Sequence, residues 1–472
     1  MGETPWGNRY REGVILHRRG KGVRLALDNG SRVGIIGGGP AGSFFAYFLM
    51  DMAERTGMDI LVDIYEHRDF SRSGPPGCNM CGGVISETLV QMLATEGINL
   101  PPTVVQRGTD SYVMHMDVGT FRIETPLHEK RIAAVHRGSG PRGIKEMRWR
   151  SFDGYLQEQA LGKGAHLIRA MVEGIEWKDG RPQIRTREGL IQLYDLAVVA
   201  AGINTSTLKI FENLGFGYRS PQGSRTYIGE FCLGQKVIEK CLGSSMHVFL
   251  LNIPRLEFAA LIPKGDYVTV CLVGENIDKT LVESFLTSPE VKECLPAGWA
   301  IPADFCHCTP LMNVRGAVRP FANRIVFIGD SGVTRLYKDG IGAAYSTAKA
   351  AARTVVFEGI SAKDFERSYW PACQALSSDN KFGKIIFAIT RLVQRSRVAR
   401  LGILLMVSKE QQSEVREESM SSVLWDTFSG SAPYRDIFMR TLHPGFICRQ
   451  LWNTIRGLFL DLKMRMNAGI VR

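Results

Sequence analysis

The sequence predicts an α/β protein: one domain on a parallel sheet flanked by helices, an interleaved β-rich domain, and a helical C-terminal region. Three observations predict it. A strand–turn–helix–strand pattern with spaced glycines begins near residue 31, two later apolar strands end in glycine-rich turns, and the apolar spacing beyond residue 360 is helical. Over 472 residues, 44% hydrophobic and 22% charged side chains are ordinary for a globular chain and exclude a disordered or fibrous one. Ten cysteines are too sparse for a disulfide scaffold, so a reducing, cytoplasmic compartment is expected. No uncharged apolar stretch reaches the length of a membrane span, and residues 1–30 lack the apolar segment of a secretory signal.

The first element carries the most chemistry. Val33-Gly34-Ile35-Ile36 predicts a strand, Gly37-Gly38-Gly39-Pro40-Ala41-Gly42 a turn, residues 43–55 a helix, and residues 60–65 a second strand ending at Glu66. Gly37 permits the tight turn, Gly39 lets the backbone approach a pyrophosphate, and Gly42 lets the helix pack against the strand. Pro40 and Ala41 lead into a helix whose N-terminus faces the phosphates with partial positive charge. Glu66 is placed to accept the ribose hydroxyls. The unit is a Rossmann-type dinucleotide site, and these residues alone leave FAD and NAD open.

Two later segments extend the sheet. Residues 192–206 read as a strand running into a small-residue turn at Gly202. Residues 324–352 read as a strand over 325–328 that ends at Gly329-Asp330, then a helix opened by Gly340-Ile341-Gly342. That order puts the Asp330 carboxylate at the carboxyl edge of the sheet, where ligands bind.

Taken together, these motifs resemble FAD-dependent reductases and monooxygenases of the aromatic-hydroxylase fold, over about residues 31–360. Within that group the chain is similar to the geranylgeranyl reductase family, through Cys81-Gly82-Gly83-Val84-Ile85 and Arg150-Ser151-Phe152-Asp153-Gly154-Tyr155-Leu156. The resemblance implies FAD as cofactor, a Cys81-Gly82-Gly83 segment lying along the flavin with Cys81 as candidate catalytic residue, and a substrate strand at Phe258, Ala260, Ile262 and Pro263. Where the family carries Tyr, Trp and Phe on that strand, this chain has Phe258, Ala260 and Ile262, which leaves an apolar pocket with room for a different or bulkier substrate. The implied reaction is reduction of C=C bonds in a lipid-like, isoprenoid-class substrate. A monooxygenase using NAD(P)H and O2, or a membrane-associated flavin electron relay without organic substrate, are the alternatives. No second G-x-G-x-x-G marks a separate NAD(P)H domain, and the resemblance implies NAD(P)H or ferredoxin as electron donor.

The fold expected is therefore a Rossmann-type FAD-binding domain (31–104, 191–214 and 316–360), an interleaved β-rich substrate domain with connecting segments (105–190 and 215–315), a C-terminal helical region (361–472) and a basic arm at 1–30. No metal site is expected. Cys78 and Cys81 form a C-x-x-C, but Cys306-His307-Cys308 offers adjacent residues that point to opposite faces of a strand. His115, His128, His136 and His247 receive no role, and Lys338-Asp339 reads as a solvated turn pair as readily as a site pair.

Charge is unevenly placed. Residues 1–30 hold six basic and three acidic side chains, and residues 381–472 hold fifteen basic and seven acidic, so the net charge of +11 sits at the two ends. A neutral body argues against a nucleic-acid partner. Phe382, Ile385, Ile386, Ile389 and Val393 form one helical stripe opposite Lys384, Arg391 and Arg395. Ile447, Leu451, Ile455, Leu458 and Leu462 form another, with Arg449, Arg456 and Lys463 across from it. Basic helices with bulky apolar faces predict a peripheral position on a membrane surface.

Overall fold

A computed structural model describes residues 25–125, 129–144, 149–411 and 420–470. Most of the basic arm expected at 1–30, namely residues 1–24, and His128 lie outside the described residues.

The apolar strand Ser31–Ile36 sits in the middle of a six-stranded sheet, where it pairs in parallel with Leu196–Val199 on one side and Ile60–Tyr65 on the other. Its run of Val33, Ile35 and Ile36 is buried on both faces, as a central parallel strand requires. Ile325–Phe327 extends the sheet beyond Leu196–Val199, and His166–Ile168 extends it beyond Ile60–Tyr65. Helices Pro40–Thr56, Phe152–Gly162 and Gly340–Phe357 cover one face through Phe44, Phe45, Leu156, Ala348 and Ala352. The antiparallel ribbon Val172–Lys178, Arg181–Thr186 and Ile191–Leu193 covers the other through Ile175, Ile184 and Tyr194.

This arrangement locates two of the connecting segments. Within 105–190, expected to hold substrate domain and connecting segments, Phe152–Gly162 packs on the first helix and His166–Ile168 is an edge strand of the nucleotide sheet. Short, apolar edge strands carry little sequence signal, so the sequence alone does not mark His166–Ile168 as part of the nucleotide sheet. The first helix also begins earlier than residue 43, at Pro40, because proline at a first helical position gives up an amide that has no partner there.

The second sheet runs through Cys306–Cys308, Gln222–Cys232, Tyr267–Gly274, Leu256–Lys264, Ser245–Phe249, Ser111–Met116 and Gly119–Glu124, with Leu311–Arg315 paired to Gln222–Cys232. Helices Gln235–Cys241 and Lys279–Leu286 close one face, setting Ile238 and Phe285 over Phe249, Ala259 and Leu261. The opposite face, with Tyr112, Met246, Ala260 and Ile262, looks toward the nucleotide sheet. Period-two alternation along Leu256–Lys264 makes this division: 259 and 261 go one way, 258, 260 and 262 the other.

The C-terminal helices Trp370–Arg395, Arg397–Gln411, Met420–Ser429, Tyr434–Thr441 and Pro444–Ile470 wrap the free edge of this sheet. Phe387, Ile403, Met406, Val423 and Ile437 join Met114, Phe121 and Ile123 in one cluster, so the edge strand is covered rather than exposed. Arg400 donates to both carboxylate oxygens of Asp117, at 2.6 and 2.8 Å. The stripe expected at 382–393 divides: Phe382, Ile386 and Val393 pack into the cluster, while Ile385 and Ile389 are exposed.

Candidate active site

Between the two sheets lies a cavity of about 340 Å3. Its nucleotide side is built by the glycine turn. Gly37, at φ 107°, accepts no Cβ because Ala200 lies against it, and its amide donates to the Tyr65 carbonyl at 2.9 Å. The N-termini of two long helices open on the cavity through Pro40 and Ala41, and through Gly340 and Ile341. Their first amides have no partner inside the helix, which makes two anion-binding ends on one wall. Glu66 is buried; its oxygens accept from the Gly38 and Arg68 amides at 2.9 Å each and keep lone pairs for a further donor.

Most of the residues singled out from the sequence line this one space. Gly37, Gly39, Pro40, Ala41, Glu66, Cys81, Gly82, Gly83, Gly202, Asp330, Gly340 and Ile341 do so on the nucleotide side, and Phe258, Ala260 and Ile262 on the other. Four do not. Gly42 and Gly342 serve packing: a Cβ on Gly42 would overlap the Gly37 carbonyl, and one on Gly342 would overlap the Asp339 carboxylate. Gly329 supplies a left-handed φ of 59° with Ala41 Cβ 2.7 Å from where its own Cβ would stand. Pro263 has the parity of Ala259 and Leu261, so it faces away from the cavity.

Polar groups missed by the sequence reading complete the floor. Arg137 is buried and held by Asp153 through Nε–Oδ1 at 2.5 Å and Nη2–Oδ2 at 3.0 Å. Burial works against its charge, but Asp153 and then Cys81 hold its pKa above the ordinary arginine value. Asn79 joins the same carboxylate at 2.5 Å and accepts from Arg68. Asp153 belongs to the Arg150–Leu156 motif, caught there as a helix start and not as the anchor of a cavity arginine. Asp330 is raised above the usual carboxylate range by burial, against the pull of Thr334 and Arg137.

Across from this floor stands Lys338. Its ammonium lies 4.9 Å from the Phe258 ring centre and 5.5 Å from that of Phe428, on the apolar wall that includes Ala260 and Cys271. Burial lowers it to about 8 against the effect of Cys271. Asp339 is raised to about 6 by burial, opposed by Ser86 and Arg335, and turns toward Gly342 rather than toward the lysine. The Tyr112 hydroxyl, on the same wall, is buried without a hydrogen-bond partner among the described residues. The one signal for Lys338 in the sequence was its place two residues before the Gly340 helix.

Among the described residues, Cys78 and Cys81 do not fall in a group of three metal-ligand side chains. Cys81 lines the cavity and its sulfur accepts weakly from the Gly83 amide at 3.5 Å. Cys78 accepts from Met80 N at 3.3 Å, and burial raises its thiol. A His115–His247–Cys294 cluster lies elsewhere, on the helix-covered face of the second sheet. His247 Nε2 faces the Leu242 carbonyl at 3.3 Å, so it carries the hydrogen and leaves Nδ1 as an acceptor for His115 Nε2 at 2.8 Å. Ring centres 5.0 Å apart across that contact put both nitrogens close to the line between the rings. That is the geometry of an N–H···N hydrogen bond, not of lone pairs converging on an ion.

No protein-family model matches the chain, and no curated protein sequence does. Solved structures do. A geranylgeranyl bacteriochlorophyll reductase-like protein from Thermoplasma acidophilum superposes with a TM-score of 0.60 at 15% identity, covering 88% of this chain and 99% of that one. A flavoprotein/dehydrogenase from Cytophaga hutchinsonii gives 0.60 at 13%, covering 90% and 99%. A variant of the halogenase PltM in complex with FAD gives 0.56 at 14%, covering 87% and 85%. This chain thus shares its overall fold with a reductase-like protein, a flavoprotein/dehydrogenase and a halogenase solved in complex with FAD.

Proposed function

We propose that this protein is an FAD-dependent oxidoreductase that reduces a C=C bond in a lipid-like, isoprenoid-class substrate. The observation that carries the reading is the cavity itself, which joins a dinucleotide turn to an apolar wall bearing one ammonium. Gly37 to Ala41 and the Gly340 helix end would hold the phosphates, Glu66 the adenosine ribose, and Asp330 with the Cys81–Gly83 segment the inner part of the cofactor. FAD, when bound and reduced, supplies a hydride.

The chain's own residues do the rest. Phe258, Ala260, Ile262 and Tyr112 exclude water and orient an apolar substrate. Lys338, lowered to about 8, is charged at neutral pH yet releases its proton readily, so it suits delivery of a proton to the carbon that does not receive the hydride. Cys81, on the nucleotide side, is the second candidate for that proton. Balance is complete with one hydride, one proton and solvent restoring the ammonium. NAD(P)H or ferredoxin is the proposed source of electrons.

Anaerobic incubation of reduced protein with a cellular lipid extract, followed by mass spectrometry, is expected to yield a lipid two hydrogens heavier. Substrate-stimulated oxygen uptake with an oxygen-containing product would assign the site to a monooxygenase instead. Normal flavin reduction and reoxidation with no change in any lipid would favour an electron relay.

A further inference from the structure

The C-terminal helix Pro444–Ile470 is packed inside out. The side against the protein is mostly small or polar: Asn453, Gly457 and Asp461 are buried beside Phe446. Gly457 lies so close to Leu401 that a Cβ would stand 3.1 Å from the leucine Cβ, and Arg397 Nε donates to Asp461 Oδ1 at 3.0 Å. The side away from the protein is apolar. Leu451 is 58% exposed, Trp452 63%, Ile455 48%, Leu458 44%, Phe459 67% and Leu462 47%. At 3.6 residues per turn these six fall in one arc of about 120°. Arg456 and Lys463, both exposed, fall along one border of that arc, between the apolar face and the packed face. The basic residues therefore edge the apolar face and do not oppose it, because the opposite side is spent on the protein.

An amphipathic helix ordinarily turns its apolar face to the core, and a broad outward apolar face marks a surface that something covers. We propose that Pro444–Ile470 docks in the plane of an anionic phospholipid bilayer, with its apolar arc among the acyl chains and its basic border at the headgroups. Charge selects the bilayer over a second copy. Residues 381–472 carry fifteen basic and seven acidic side chains, and the only carboxylate in the helix, Asp461, is turned inward. Two such faces brought together would set like charges against each other, whereas anionic headgroups attract them. Trp452 and Phe459 are the aromatic anchors of such a helix. Among the described residues no helix is long and apolar enough to cross a membrane, so the helix lies along the surface. This inference stands on the helix alone and is independent of the reaction.

Full-length protein is mixed with unilamellar vesicles of phosphatidylcholine containing phosphatidylglycerol and sedimented. Binding is expected at low salt, weaker by at least about tenfold on phosphatidylcholine alone. The double variant Trp452→Glu, Phe459→Glu touches exposed positions only, so it is expected to keep the wild-type melting temperature and lose about tenfold or more in vesicle partition. Arg456→Gln with Lys463→Gln is expected to weaken binding severalfold and flatten its salt dependence. Absence of binding to anionic vesicles at low salt, or full binding by the double glutamate variant, overturns the proposal. So does a dimer in light scattering that the same variant dissociates, since that assigns the face to a second copy.

Discussion

Lys338 is the side chain on which the proposed chemistry turns. It has two aromatic faces and a neighbouring thiol around it, and its carboxylate neighbour in sequence, Asp339, is committed to the start of the following helix. Replacing it by methionine keeps the stem and removes the proton, and turnover is expected to fall by about 10²–10⁴-fold with flavin content unchanged. In the proposed reaction the ammonium is the active form, so turnover is expected to decline as pH rises through about 8, and this decline should vanish in Lys338→Met. A pH profile of both proteins checks it; a profile that survives the substitution assigns the proton to another group. Ala260 is a second residue with a sharp consequence. Its side chain faces the cavity in the position where the resembling family carries tryptophan. Ala260→Trp is expected to raise KM for a long-chain substrate while leaving flavin binding intact, read from steady-state kinetics.

At the scale of elements, the glycine turn and the histidine-bearing strands behave differently. The first turn and helix lock together at Gly42, where a methyl would collide with the Gly37 carbonyl. Gly42→Ala is expected to destabilise the protein by about 1–3 kcal/mol through overpacking and to lower flavin retention, measured by urea unfolding and absorbance after gel filtration. Strands Ser111–Met116 and Ser245–Phe249 instead carry a pH liability. Burial lowers His115 to about 3, with His247 adding to the effect, and lowers His247 to about 4; burial with Lys264 beside it lowers His136 to about 3. The unfolded chain protonates these imidazoles near their ordinary value of about 6.5, while the folded chain does not. Protons are then taken up on unfolding, so stability is whole above that pH and falls as pH drops toward 4. Unfolding free energy measured by urea at pH 7 and at pH 5 is expected to show this loss, with a smaller difference in His136→Phe.

At the scale of the whole molecule, the C-terminal region is part of the site. Phe428 and Ser429 line the cavity, Arg335 donates to the Gly430 carbonyl at 2.7 Å and to that of Ala432, and Trp425 Nε1 donates to Glu87 at 3.1 Å. Arg335→Gln cuts this tie from a buried position. It is expected to cost about 2–4 kcal/mol and to open the segment near Phe428 to limited proteolysis. Helix Met420–Ser429, which closes the cavity, and helix Pro444–Ile470, which carries the outward apolar face, both pack on Arg397–Gln411.

The sequence by itself determined the nucleotide half. Glycines at 37, 39 and 42, an acid at 66 and a Gly329-Asp330 strand end are local features, and local backbone sterics and helix-end electrostatics give them one structural meaning. It also determined that Phe258, Ala260 and Ile262 share a face, since strand alternation is fixed by the chain. Only the tertiary structure decided the rest. Arg137 meets Asp153 and Cys81, and Lys338 meets Phe258 and Phe428, through contacts between segments far apart in sequence, which no periodicity encodes. The tertiary structure also decided that Gly329 and Gly342 serve packing, that Pro263 faces away from the cavity, and which side of Pro444–Ile470 faces out. A helical stripe states that two faces differ; the partner surface, here a groove that accepts Gly457 and Asp461, decides which of them is buried.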